Sequence, residues 1–245
     1  MIADPRHLPW DACLNVRDLG GFATRDGRTT RWRALVRADN LCRLTWHGRN
    51  ALVRYGIRTV IDLRSTKELA LEHDPFTRSE LAEVARLHLP LLSAEFWTTW
   101  HRRMSPHEAD VLALETSRPN VAALVSAIGN APEGGVVIHC HAGKERTGLA
   151  MAVVLALVGV DRDAINADHV ASDAYLEPLY EAWNAAAEDA AVRERGTGRF
   201  HLDPRQMLDT LTTLDERFGG AQQYLIDSGV EDRELDRVRE RLVEA

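Results

Sequence analysis

The chain has 245 residues, 45% of them hydrophobic and 27% charged, with a formal net charge of −7. That length and composition fit one globular domain over residues 1–245 with a sizeable core, and they exclude a disordered chain. The acidic balance argues against a nucleic-acid surface, and the longest apolar run, near 149–160, is too short for an integral membrane segment.

Basic residues are almost all Arg; Lys occurs only at 67 and 144, which makes Lys144 stand out. Cys13, Cys42 and Cys140 are too few and too scattered for a disulfide framework and fit a reducing compartment. The amino terminus MIADPRHLPWDA lacks a basic region followed by an apolar one, so no signal peptide is read there. The expectation is a cytoplasmic protein, with leaderless secretion as the alternative. Nothing in the sequence sets the oligomeric state.

In chain order, residues 1–12 read as a loose arm. Residues 15–22 (NVRDLGGF) are rich in turn formers, and Asp26-Gly27 marks a tight turn. Residues 34–37 read as a short strand. Thr45 is placed to cap a helix that runs to Tyr55 and stops at Gly56. Residues 59–63 (TVIDL) form a buried strand, with Arg64 and Ser65 at its carboxyl end. Another strand is expected within 81–89. In 93–119, helical spacing puts Trp97 and Trp100 on one face among Arg and His. Residues 119–130 read as a helix with Leu124 and Ile128 inward, 136–138 as the central strand and 147–158 as the helix behind it. Residues 161–184 read as a helix with Asp168, Ser172 and Asp173 on a polar side. Strands alternating with helices predict an α/β fold, a mainly parallel sheet flanked by helices on both faces. Ligand then binds at the carboxyl ends of the strands, where Cys140 and Asp62 both fall.

Residues 136–149 (VVIHCHAGKERTGL) carry the chemistry. Between strand and helix, a loop of this length curls its N–H groups toward one point, and such a nest at a helix N-terminus holds an anion. Gly143 removes a side chain where backbone must come close. Arg146 supplies a planar fork for two oxygens of a phosphoryl group. Cys140 lies at the base, where the same field should lower its pKa from about 8.5 into the range of roughly 3.5–7.5. A thiolate facing a phosphoryl group is an activated nucleophile. The loop is not a Walker A motif, because Glu145 follows Gly143-Lys144 and His139 stands where that motif needs Gly.

His139-Cys140-His141-Ala142-Gly143-Lys144-Glu145-Arg146-Thr147-Gly148 resembles the HCxxGxxR[ST] loop of cysteine-dependent protein tyrosine phosphatases. The HCxAGKxRTG form is similar to a bacterial and mycobacterial branch with dual activity on phosphoproteins and phosphoinositides. NVRDLGGF, VRADNLCRLT and IRTVIDLRS match the amino-terminal half of that family in order and spacing, and residues 211–242 resemble its carboxyl-terminal helices. The likeness is weakest around 90–120 and 180–205.

The resemblance implies that Cys140 attacks phosphorus while Arg146 and the N–H groups of residues 141–146 (His141, Ala142, Gly143, Lys144, Glu145 and Arg146) hold the phosphoryl oxygens. Thr147 is placed to donate to the departing Cys140 sulfur, and His139 to orient the loop. The family usually has Asp where this chain has Glu145, the favoured general acid; Asp62 is the second candidate, with a salt bridge to Arg64 or Arg17 as its other reading, and Asp168 and Asp173 follow. Lys144 is expected to add charge suited to phosphoinositides with more than one phosphate, and His141 to add charge below its pKa. Helical lids occur in this family, so 93–119 and 185–205 are read as lid segments, or 93–119 as a helix packed on the sheet. The expected substrate is a phosphorylated protein or a phosphoinositide. A phosphate-reading pseudophosphatase and a thiol redox enzyme are the alternatives. The His residues are scattered, so no metal site and no cofactor are indicated.

Overall fold

In the computed structural model, which describes residues 4–72, 83–186 and 201–244, the chain builds around a parallel strand at Gly135–His139. The strands are β1 (Arg17–Asp18), β2 (Leu35–Ala38), β3 (Ile57–Asp62), β4 (Ala85–His88) and β5 (Gly135–His139), in the sheet order β1-β2-β5-β3-β4. Among these five strands only β1 and β2 pair antiparallel. The α/β expectation is met, and the strand expected to be central lies in the middle. The strand within 81–89 is shorter than expected: it covers only 85–88, and 81–82 lie outside the described residues.

The helices are α1 (Trp46–Tyr55), α2 (Thr66–Leu71), α3 (Ala94–Thr99), α4 (Pro106–Thr116), α5 (Arg118–Asn130), α6 (Glu145–Leu157), α7 (Arg162–Ala186), α8 (Gln206–Phe218), α9 (Gly220–Asp227) and α10 (Asp232–Leu242). Thr45 caps α1 through the Gly48 N–H, and Gly56 ends it in a left-handed conformation, as the sequence predicts.

Alternation along β5 explains the two cores. Val136 and Ile138 face the larger one, with α4–α6 and α8–α10. Val137 faces a smaller one with Leu52 of α1, Val60 and Trp10. Helices do cover both faces, but unevenly. α6 is apolar nearly all round and buried along most of its length, so the helix behind the loop is the least free to move.

One expectation is corrected. The arm of residues 1–12 is pinned from residue 6 onward: Asp18 N–H donates to Arg6 O (2.8 Å), Leu8 N–H to Val16 O (3.0 Å), and Leu8 and Trp10 are buried. Apolar burial there outweighs the polar, proline-containing composition. The polar side of α7 that carries Asp168 and Ser172 is buried against arginines of β1 and β2. The 93–119 stretch is two helices seated through Phe96 and Leu112–Leu114, with Trp97 and Trp100 turned outward. Of the other expected lid, residues 187–200 lie outside the described residues.

Candidate active site

Register brings the site together. Ala38 and Asp62 flank His139 across the sheet, and His88 stands beyond Asp62. Cys140 therefore leaves the sheet at its carboxyl edge, and the loop ends at Glu145, the first residue of α6. Lys144 at the N-cap makes no side-chain cap, so no side chain there satisfies the first-turn amides of α6. An anion suits such a helix start.

The loop's carbonyls are held from the β1–β2 side. Asn15 Nδ2 donates to the carbonyls of Ala142 (3.0 Å) and Gly143 (3.1 Å). Arg37 Nη2 donates to Gly143 O at 2.6 Å, and the Asn40 N–H to His141 O at 3.1 Å. In a trans peptide the N–H points opposite to the C=O. Fixing these three carbonyls on one side therefore turns the amides of Ala142, Gly143 and Lys144 to the other. Gly143 has φ +64°, and a Cβ there would lie 2.4 Å from Ala38 O. The close approach that demands glycine is thus to the end of β2.

Behind these braces is a buried ion cluster. Asp168 accepts from Arg17 Nε (2.9 Å) and Arg37 Nη1 (2.6 Å), and Ser172 Oγ accepts from both arginines (3.1 and 3.2 Å). Arg17 also donates to Asn15 Oδ1. Burial alone would raise the Asp168 pKa, but the two arginines outweigh it and hold the carboxyl well below its usual range. Burial lowers Arg37 to about 10 despite Asp168.

On the opposite flank, Arg146 forms a two-pronged pair with Glu68 of α2 at 2.7 and 2.8 Å. Glu68 also closes the capping box of α2 with Ser65. Burial opposes its ionisation, but Arg146 and Ser65 bring its pKa to about 2. Burial likewise opposes the Arg146 charge, and the nearby Cys140 and Glu68 more than compensate. Glu68 takes two of the five guanidinium N–H donors. Cys140 is 2% exposed.

The other expected residues are placed as follows. His139 Nδ1 is 3.2 Å from Cys140 O, and its Nε2 is 3.6 Å from Asp62 Oδ2. Thr147 is fully buried, and its hydroxyl has no hydrogen-bond partner among the described residues. Glu145 is half-exposed, with a carboxylate oxygen 3.4 Å from Lys144 Nζ. Asp62 gives both oxygens to Arg64 (2.7–3.0 Å), which is one of its two anticipated salt bridges. Burial would raise its pKa, but Arg64 and His139 lower it. Lys144 is buried, its ammonium 3.2 Å from Tyr180 Oη and 3.6 Å from Asp173. Burial, then Arg43, lowers the His141 pKa from its ordinary value, with Glu72 and Glu68 opposing.

Asn15, Arg17, Arg37 and Glu68 escaped the residue-by-residue reading. Glu68 had a signal, since Ser65-x-x-Glu68 at a strand exit spells a capping box. The other three lie in the NVRD and VRAD segments, whose polar residues follow buried apolar ones without any local reason for a charge.

Residues 8–244 match the tyrosine phosphatase family. A tyrosine-protein phosphatase of Nostoc commune is 30% identical over 86% of this chain and 75% of its own length. The triple specificity protein phosphatase PtpB of Mycobacterium tuberculosis is 28% identical over 96% of this chain and 97% of its own. The crystal structure of P. aeruginosa TpbA aligns with 75% of this chain and 89% of that one at 18% identity, with a TM-score of 0.37, too low to carry an argument. With nearly the whole chain matched, and the loop that carries the resemblance seated between β5 and α6, this chain belongs to the tyrosine phosphatase family and is a phosphatase enzyme acting on a phosphorylated substrate.

Proposed function

We propose that this chain hydrolyses phosphate monoesters through a cysteinyl-phosphate intermediate at Cys140. The observation that carries the reading is the set of three loop carbonyls held on one side by Asn15, Arg37 and the Asn40 N–H, which faces the intervening amides the other way, next to a buried cysteine. Those amides and the free edge of Arg146 bind the equatorial oxygens, where the transition state carries its charge. The Cys140 thiolate attacks phosphorus in line, and an S–P bond forms as the P–O bond to the leaving group breaks. The leaving oxygen takes a proton from Glu145. Water then attacks phosphorus, its proton passes to the Glu145 carboxylate, and the electron pair returns to sulfur as the S–P bond breaks. The unpartnered Thr147 hydroxyl donates to that sulfur.

Glu145 is preferred over Asp62 as the acid. It begins α6 next to Arg146 and is half-exposed, whereas both oxygens of Asp62 are taken by Arg64. Asp168 is committed to two arginines and is excluded on the same ground. His139, through the Cys140 carbonyl, orients the loop. Phosphotyrosine is the first substrate class, with phosphoserine, phosphothreonine and phosphoinositides following from the triple specificity named for the mycobacterial relative. With Lys144 tied to Tyr180 and Asp173, its ammonium joins the loop to α7.

The test compares phosphate release by wild type, Cys140→Ser and Glu145→Gln from a phosphotyrosine peptide, a phosphoserine peptide and phosphoinositides. Cys140→Ser is expected to abolish turnover. Glu145→Gln should lower the rate by about 10²–10⁴ with loss of one limb of the pH profile. An unchanged Glu145→Gln profile would remove the acid assignment. Tight phosphate binding without release by any protein would favour the pseudophosphatase reading.

A further inference from the structure

The aromatic and basic residues from the last turn of α3 to the turn before α4 take no part in the chemistry above. α3 is anchored by Phe96, which is buried in the larger core. The seven residues after it, 97–103 (WTTWHRR), are all exposed. Trp97 is 49% and Trp100 38% exposed. Among the described residues their rings touch each other (6.1 Å between centroids) and Phe96 (5.2 Å from Trp97). No acid occurs between Glu95 and Glu108, in a chain whose net charge is −7. Glu108 is tied to Ser105 in a capping box beside His101.

The strip also has a defined place. After β4 the chain follows the exit of β3: the Leu89 N–H donates to Asp62 O (2.9 Å) and the Leu91 N–H to Leu63 O (3.2 Å), before Ser93 caps α3. Asp62 pairs with His139, the residue before Cys140. The strip therefore leaves the sheet at the edge where the loop opens.

Two exposed indoles beside two arginines match the interface of an anionic bilayer. Trp settles at headgroup depth with its ring in the apolar layer and its N–H toward water. Arginine is drawn to an anionic surface, by about fivefold in affinity per residue. The acidic remainder of the chain does not prevent this, because charge is screened beyond about 8 Å at physiological ionic strength. A headgroup layer asks for no shape match, and the strip is a short helix end and a turn. We propose that residues 97–103 dock the protein on an anionic phospholipid surface, with the Cys140 loop turned to the headgroups. Docking stands without the phosphatase reading; its use, offering phosphorylated lipid headgroups to Cys140, rests on that reading.

The experiment is co-sedimentation of the whole chain with phosphatidylcholine vesicles, with and without phosphatidylserine. Wild type is compared with Trp97→Ala/Trp100→Ala and Arg102→Gln/Arg103→Gln. Hydrolysis of a soluble phosphotyrosine peptide is read in parallel. Wild type should bind only the phosphatidylserine vesicles, less so as salt rises, with a blue shift of its tryptophan emission. The arginine pair should weaken binding by about 25-fold, and the tryptophan pair should abolish it. All three proteins should cleave the peptide equally. Absence of vesicle binding by wild type, as expected if the strip instead meets an acidic protein, would overturn the proposal. Binding that ignores phosphatidylserine, or that neither variant weakens, would do the same. Vesicle binding with no peptide hydrolysis would leave docking standing and remove the phosphatase reading instead.

Discussion

On the β1–β2 flank of the loop, every bracing side chain is buried: Asn15, Arg17, Arg37 and Asp168. On the α2 flank the partner of Arg146 is Glu68, with a side chain 32% exposed. Both flanks use arginine and carboxylate, but in different dielectric surroundings. A buried charge left without its partner is costly, whereas water compensates an exposed one. The first flank therefore fixes the backbone as part of the fold, and the second aims one side chain at little cost to the fold.

The sharpest way to break that comparison is Asp168→Asn. It leaves Arg17 and Arg37 buried without their counter-charge and should destabilise by about 3–5 kcal/mol, read by chemical denaturation. A loss below about 1 kcal/mol would mean the cluster is not structural. Glu68→Gln should do the reverse. Stability should change by no more than about 1 kcal/mol, while kcat/KM falls by about 10²-fold from a misdirected guanidinium. Equal effects of the two variants on stability would erase the distinction between the flanks.

A further effect, confined to acid pH, concerns His169 of α7, which is buried with neither ring nitrogen hydrogen-bonded among the described residues. Its ring fills the space where a Cβ on Gly148 would lie 2.3 Å from Nδ1, so Gly148 and His169 lock α6 to α7. Burial first, then Arg37, brings its pKa down to about 3, with Asp168 opposing. Between the ordinary value near 6.5 and about 3, the unfolded chain binds a proton that the folded chain refuses. Stability therefore falls as pH drops through that window. The Asp168 contribution, from a depressed carboxyl, persists until pH falls below about 4. His169→Leu should flatten the decline between about pH 6.5 and 4 and leave the steeper loss below it. Denaturation midpoints across that range check this, and an unchanged slope would show that His169 does not refuse the proton.

Much of this was legible in the sequence, for local reasons. Thr45 and Gly56 bound α1 by cap chemistry, and the apolar run into His139-Cys140 reads as a strand because an interior parallel strand is buried on both faces. The loop was legible because Cys140, Gly143 and Arg146 must lie at fixed offsets to surround one anion. The braces were not: Asn15 and Gly143 are 128 residues apart, and no local pattern marks that contact. Lys144 was legible only in part for a related reason. Its place in the loop is a local feature, but its contacts with Tyr180 and Asp173, far along the chain, are not.

The central claim is that phosphate passes through Cys140, and the most direct measurement is acid quenching during turnover followed by mass spectrometry of the loop peptide. Wild type should carry phosphate on Cys140. Glu145→Gln, slowed in water attack, should carry more with an activated substrate whose leaving group needs no proton, and Cys140→Ser should release no phosphate. Turnover by Cys140→Ser, or phosphate found on any other residue, would contradict the account.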